Sequence, residues 1–227
     1  MTDLLDEFST RRNEILSSIA KSAQDAGRPA GAIQLVGISK KQPEARIEAA
    51  LSAGHRIFGE NRVQEAEQRW IERRAMYPDL ELRLVGPLQT NKADQAVALF
   101  DVIETVDRIK LARALKKAMD KLGRSPRLYV QVNTGEEDQK AGVAPRDAAA
   151  FLKQVREAFG FQIEGLMCIP PAEEPAGPHF ALLADLAAAN GVEKLSMGMS
   201  GDYETAVKFG ATSVRVGSAL FGERPSA

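Results

Sequence analysis

The sequence predicts an α/β fold: a single (β/α)8 barrel of the TIM type, with one extra helix at the N-terminus. Eight short apolar segments alternate with stretches of helical spacing, and the units are evenly spaced over 227 residues with no linker or low-complexity segment. No Gly-x-Gly-x-x-Gly turn follows the first strand, which argues against an open doubly wound sheet. One domain, residues 1–227, is expected.

In order, residues from about Leu4 to Ala26 place Leu4, Leu5, Phe8, Ile15, Leu16 and Ile19 at helical spacing among charges, an amphipathic helix. The run from Ile33 through Ser39 is β-branched and apolar, a strand buried on both faces, and it stops at Lys40-Lys41 before Pro43. A helix bearing Ile47, Ala50 and Leu51 then runs to Gly54, a natural C-terminal stop. Strand two is Arg56–Gly59, followed by a helix through Val63, Ala66 and Trp70; strand three is Leu82–Gly86, with a helix toward Leu99. Strand four, Val102–Val106, leads to a helix through Leu111, Leu115 and Met119 with Asp107 expected as its N-cap. Strand five (Arg127–Asn133), a glycine-punctuated loop and a helix over 145–159 follow, then strand six (Gln162–Ile169) and a loop with Pro170, Pro171, Pro175 and Pro178. A helix from Phe180 to Asn190, strand seven (Glu193–Met199), a short helix from Tyr203 to Phe209 with Asp202 as N-cap, and strand eight (Ser213–Gly217) complete the count.

The totals exclude several functions. A net charge of -1 with the two signs interspersed offers no field for nucleic acid or an anionic membrane surface, so small-molecule chemistry or protein contacts are expected. The single cysteine, Cys168, rules out an internal disulfide, and the amino terminus lacks the basic, apolar layout of a signal. No apolar run has the length of a membrane span. The chain is expected in the cytoplasm, as a monomer, with neither nucleic acid nor membrane as partner.

Barrels of this kind build their sites at the C-terminal ends of the strands, where this chain has Lys40, Glu60-Asn61, Gln89 to Asn91, Asn133, Met167, Ser200-Gly201 and Arg215 to Ser218. Side chains alternate along a strand, so Lys40 shares a face with Ile38 and Val36 while Lys41 points away. A lysine held against an apolar interior has a reason to lose its proton, and the free amine is the form that condenses with aldehydes. The bland alternative is a solvated lysine pair closing a strand. Gly198–Asp202 and Val216–Ala219 put small residues with free amides at two adjacent strand ends, a phosphate-binding device, although glycine at such places is often plain turn chemistry. Arg215 shares a face with Gly217 and is expected at the same mouth; an ion pair with a nearby carboxylate is the alternative. Amine, phosphate cup and arginine together suit pyridoxal phosphate.

The segments Val36–Lys40, Phe58–Glu65, Gly86–Lys92, Val130–Asn133, Gly165–Met167, Leu195–Asp202 and Val214–Gly222 resemble the YggS/PROSC family of pyridoxal phosphate homeostasis proteins, in order and over nearly the whole chain. Ile38, Lys41, Arg62 and Ser218 depart from the usual residues without removing a reactive group. The resemblance implies a barrel like the N-terminal domain of alanine racemase, with pyridoxal 5'-phosphate attached to Lys40. It implies that Ser200, Gly201, Gly217 and Ser218 hold the phosphate, Arg215 faces the pyridine nitrogen, Asn61 sits near the ring and Met199 packs beside it. The expected role is storage, buffering or delivery of the cofactor, without robust turnover and with pyridoxal-phosphate-dependent apo-enzymes as recipients.

Two rival readings use the same lysine: an amino-acid racemase or lyase working through Lys40, and a phosphate-metabolite enzyme that attaches its substrate there. A cation beside the pyridine nitrogen disfavours its protonation and makes the ring a poor electron sink. A racemase also needs an acid/base on the face opposite Lys40, which alanine racemase takes from an additional β-domain, whereas this chain ends at Ala227, just past strand eight. His55 is expected at the wrong end of the barrel, His179 as a solvated helix-start residue, and Tyr203 as a packing residue.

Overall fold

Short strands that are apolar on both faces need partners on both sides. In the computed structural model, which describes residues 2–223, they find them by closing on one another. Met1 and residues 224–227 of the expected single domain lie outside the described residues. Strands β1 (Gln34–Ile38), β2 (Ile57–Glu60), β3 (Glu81–Leu84), β4 (Val102–Val106), β5 (Arg127–Gln131), β6 (Ile163–Met167), β7 (Lys194–Ser196) and β8 (Ser213–Val216) pair in chain order into a closed parallel barrel. The closing seam between β1 and β8 runs in register from Gln34↔Ser213 to Gly37↔Val216.

Helices α1 (Thr2–Asp25), α2 (Glu44–Ser52), α3 (Val63–Met76), α4 (Ala93–Leu99), α5 (Ile109–Leu122), α6 (Ala148–Phe159), α7 (Ala176–Ala189), α8 (Tyr203–Lys208) and α9 (Ser218–Phe221) surround it. The extra helix α1 packs against α2, α8 and α9. Its Phe8 meets Phe221 with ring centroids 5.4 Å apart, and behind them Phe58 meets Trp70 at 4.6 Å. These fully desolvated aromatics form the layer between helices and barrel. Among the described residues no helix is long and apolar enough to cross a membrane.

Inside the barrel the side chains are not all apolar. Arg83 Nη1 donates to Glu104 Oε1 at 3.1 Å, Ser196 Oγ donates to Glu104 Oε2 at 2.6 Å, and Arg215 Nη1 donates to Ser196 Oγ at 2.7 Å, all of them buried. Burial works against the charge on Arg83, but Glu104 and Glu81 outweigh it and hold its pKa above the ordinary value.

Several boundaries differ from the expectation. Strand seven was expected to reach Met199, yet β7 ends at Ser196, because Gly198 at φ 91 turns the chain out of the sheet. Asp107 does not cap α5: the helix starts at Ile109 with Arg108 in the cap position, and the Asp107 carboxylate takes the Arg108 guanidinium instead. Asp202 does precede α8, but its carboxylate accepts the Met199 amide rather than an amide of the helix. Helix α7 begins at Ala176 and takes Pro178 into its first turn, where a missing N–H costs nothing. The short α9 was not anticipated.

Candidate functional site

A cavity of about 280 Å³ opens at the C-terminal ends of β1, β7 and β8. Its lining contains all eight expected residues: Lys40, Asn61, Met199, Ser200, Gly201, Arg215, Gly217 and Ser218. The remaining walls are Ile38, Val85 and Ile169, apolar side chains at strand ends. Val85 and Ile169 were not singled out, since an apolar residue ending a strand reads as core. Their signal is the position alone, at the C-terminal lip.

Lys40 is not the last strand residue. The ladder of β1 stops at Ile38, and Lys40 stands in a turn closed by the Gln42 amide on the Ser39 carbonyl at 3.1 Å. It is half-buried and lines the cavity with Ile38, whereas Lys41 is exposed and adopts φ 57. The expected division of the two lysines therefore holds, through the turn rather than the pleat.

At the same cavity, Met199–Asp202 forms a tight turn, with the Asp202 amide on the Met199 carbonyl at 3.1 Å. Among the described residues, the amides of Ser200 and Gly201 inside that turn donate to no backbone carbonyl. A Cβ built on Gly201 meets nothing within 4 Å, so the space beside it is open. Gly217 and Ser218, at the entry of α9, add a second small-residue edge. The two edges bring backbone amides and hydroxyls together on one side of the cavity lining, the groups that anion sites are built from.

Arg215 lines the same cavity, its Nη1 donating to Ser196 Oγ at 2.7 Å. Its second donor, Nη2, goes to the Cys168 carbonyl at 2.7 Å, so both bonds from the guanidinium end on neutral oxygens, not on a carboxylate. Asn61 reaches the cavity where β2 ends, and its backbone passes so close to Gly86 that a Cβ there would lie 2.2 Å from the Asn61 carbonyl oxygen. Glycine at 86 is what lets the two strand ends approach.

Other strand-end residues are used differently. Met167 is wholly buried in β6, and Asn133 is spent on its own loop, donating to the Glu137 carbonyl at 2.8 Å. Gln89 lines a neighbouring cleft of about 690 Å³, which also takes in Arg62, Lys92, Asp107 and Arg108 and shares Asn61 with the first cavity. His55 is buried beside Phe8 and Phe58, with Nε2 2.8 Å from the Ile57 carbonyl at the start of β2, away from the mouth as expected. His179 was expected to be solvated; it is 8% exposed and bonded to Glu174 at 3.0 Å, inside a helix that starts earlier than expected, at Ala176. Neither His179 nor Tyr203 lines the cavity. Burial pushes the Cys168 thiol up to about 12, so it stays protonated.

Fold and cavity together define a class: a (β/α)8 barrel whose mouth gathers one lysine, one arginine and the small residues Ser200, Gly201, Gly217 and Ser218 around one cavity. The chain belongs to the family of pyridoxal phosphate homeostasis proteins, built on the alanine racemase N-terminal domain. Residues 41–225 match the family model described as alanine racemase, N-terminal domain. The pyridoxal phosphate homeostasis protein of Pseudomonas aeruginosa is 39% identical over 221 residues, 93% of each chain. PipY of Synechococcus elongatus, solved without PLP, is 42% identical with a TM-score of 0.80 over 90% of this chain and 100% of its own. Its PLP-bound structure is 41% identical with a TM-score of 0.76 over the same shares. An alanine racemase of Clostridium difficile 630, at 14% identity and a TM-score of 0.71 over 97% of this chain and 58% of its own, shares the barrel.

Proposed function

We propose that this protein binds pyridoxal 5'-phosphate at the 280 Å³ cavity and stores, buffers or delivers it, without robust turnover of its own. The observation that carries this reading is the convergence of Lys40, the Ser200-Gly201 and Gly217-Ser218 edges and Arg215 on one cavity. Its volume lies just below the roughly 300–1,000 Å³ of drug-sized ligand sites, as suits one small cofactor. The residues present fit the group: the uncommitted amides and open space at Gly201 match a phosphate, and the half-buried Lys40 matches an aldehyde.

When bound, the cofactor supplies an aldehyde that reacts with amines and a ring that can draw electrons. Lys40 would hold it covalently, Ser200, Gly201, Gly217 and Ser218 would bind the phosphate, and Arg215 would lie toward the pyridine nitrogen. Asn61 and Met199, which line the same cavity, would lie beside the ring. Arg215 donates to the neutral oxygens of Ser196 and Cys168 rather than to a carboxylate, and a cation beside the ring nitrogen would disfavour a proton there. Among the described residues, the cavity lining has no His, Tyr, Asp, Glu or Cys side chain to take up an α-proton. The wide cleft that adjoins the cavity at Asn61 gives room for a partner surface, which suits release to pyridoxal-phosphate-dependent apo-enzymes. We place this role in the cytoplasm, the compartment that the lone thiol of Cys168 suits.

The test is the purified full-length protein. A visible absorption band, lost on borohydride reduction, with the added mass mapped to the Lys40 peptide and absent from Lys40→Ala, is the expected result. A band that survives in Lys40→Ala moves the attachment elsewhere, Lys41 being the nearest lysine.

A further inference from the structure

The turn that carries Lys40 is held by a residue outside the cavity. Arg69, in the second turn of α3, donates from Nη1 to the Ser39 carbonyl at 2.6 Å and from Nη2 to the Gln42 carbonyl at 3.0 Å, one guanidinium spanning both ends of the Ser39–Gln42 turn. The same Nη1 rests on Glu60 Oε1 at 3.1 Å, and Nε takes Glu44 at 2.9 Å, so every guanidinium nitrogen is committed. Glu60 is fully buried, and its Oε1 also accepts from Ser39 Oγ at 2.7 Å and Trp70 Nε1 at 3.0 Å. The turn thus hangs between β2 and α3, by side chain and by backbone. Within it Lys41 sits at φ 57, one of two non-glycine residues at positive φ among those described. An L-residue takes that conformation only where its surroundings hold it.

We infer that Arg69 is a positioning residue for Lys40: by bridging the Ser39 and Gln42 carbonyls it holds Lys41 left-handed and keeps the Lys40 amine directed into the cavity. This rests on the reading of Lys40 as the cofactor lysine. A planar fork is required, because two carbonyls must be bridged at fixed separation, which a single ammonium does not do. Without the bridge, Lys41 relaxes toward negative φ and the Lys40 side chain swings off the aldehyde, while the cup formed by Ser200, Gly201, Gly217 and Ser218 is untouched. Covalent attachment and phosphate retention are therefore separable quantities.

The experiment compares wild type, Arg69→Lys and Arg69→Lys/Lys41→Gly, each loaded with pyridoxal phosphate. Two quantities are read: cofactor trapped on Lys40 by borohydride, by mass, and total cofactor retained before reduction, by phosphate assay. Arg69→Lys keeps a positive charge beside Glu60, so the fold survives. The expected result is a fall of about tenfold in the trapped-to-unattached ratio, the worth of one charge-assisted hydrogen bond, with phosphate retention maintained. Adding Lys41→Gly, which removes the strain the clamp opposes, restores the ratio. An unchanged ratio in Arg69→Lys overturns the inference, as does a parallel loss of both quantities with a lowered unfolding midpoint, or a failure of Lys41→Gly to restore attachment. No trapped cofactor on Lys40 in the wild type overturns the inference together with the assignment of Lys40, and no other outcome touches that assignment.

Discussion

Arg215 meets Ser196 at 2.7 Å, its Nη1 donating to the hydroxyl oxygen, and the hydroxyl passes its own proton toward Glu104. A serine therefore stands between a buried arginine and a buried carboxylate. Removing it leaves Arg215 short of one acceptor and Glu104 short of one donor, so Ser196→Ala is expected to destabilise the fold by about 1–3 kcal/mol. Glu104→Ala is expected to cost about 3–5 kcal/mol, because it leaves Arg83 with a buried charge that Glu81 alone must balance. Urea unfolding of the cofactor-free protein measures both. Losses below about 0.5 kcal/mol, the range of ordinary surface changes, would show that the chain of contacts is not structural.

The cup at Gly201 separates binding from folding. Since a Cβ there meets no atom within 4 Å, Gly201→Ala is expected to leave the unfolding midpoint unchanged and to weaken binding only when phosphate occupies that space. Ser200→Ala and Ser218→Ala are each expected to weaken retention by about 1.5–3 kcal/mol, the worth of a hydrogen bond to a charged group. Titration with pyridoxal phosphate and with pyridoxal checks this. Equal affinity for the two in the wild type rules out the phosphate cup.

His55 makes stability depend on pH. Burial, reinforced by the charge of Arg12, lowers it to about 4 from its usual 6.5. Below pH 6.5 the unfolded chain takes up a proton that the folded chain refuses. The contribution of His55 is therefore whole above that value and is lost as pH falls toward 4, up to roughly 3 kcal/mol. Unfolding midpoints followed from pH 7 to 4 should decline, and His55→Gln should flatten the decline. An identical slope in the variant would assign the acid sensitivity to carboxylates instead.

Proton abstraction tests the rival reading as an amino-acid racemase or lyase. With His179 held by Glu174 and Tyr203 outside the lining, L- or D-alanine in deuterated water should gain no α-deuterium at a catalytic rate. Proton NMR reads this directly. Exchange at about one turnover per second, the low end of enzymatic rates, would make this an enzyme, and its loss on changing either residue would name the base.

The sequence alone determined the barrel and the polar and small residues of the cavity, but not its apolar walls Val85 and Ile169. Alternating apolar runs and helical spacing are local properties, and strand-end residues such as Lys40, Ser200 and Ser218 can be read one unit at a time. Tertiary structure decided what holds those residues. Ser196 and Glu104 are 92 positions apart, and Arg69 lies 30 from Ser39. In a strand such as Val102–Val106 a buried glutamate looks like an exception until closure brings Arg83 and Ser196 to it. The pairing depends on barrel register, which places the inward side chains of β3, β4, β7 and β8 within hydrogen-bond reach. The burial of His179 goes with a helix that begins at Ala176, ahead of the expected Phe180, and with the Glu174 carboxylate that the histidine meets there.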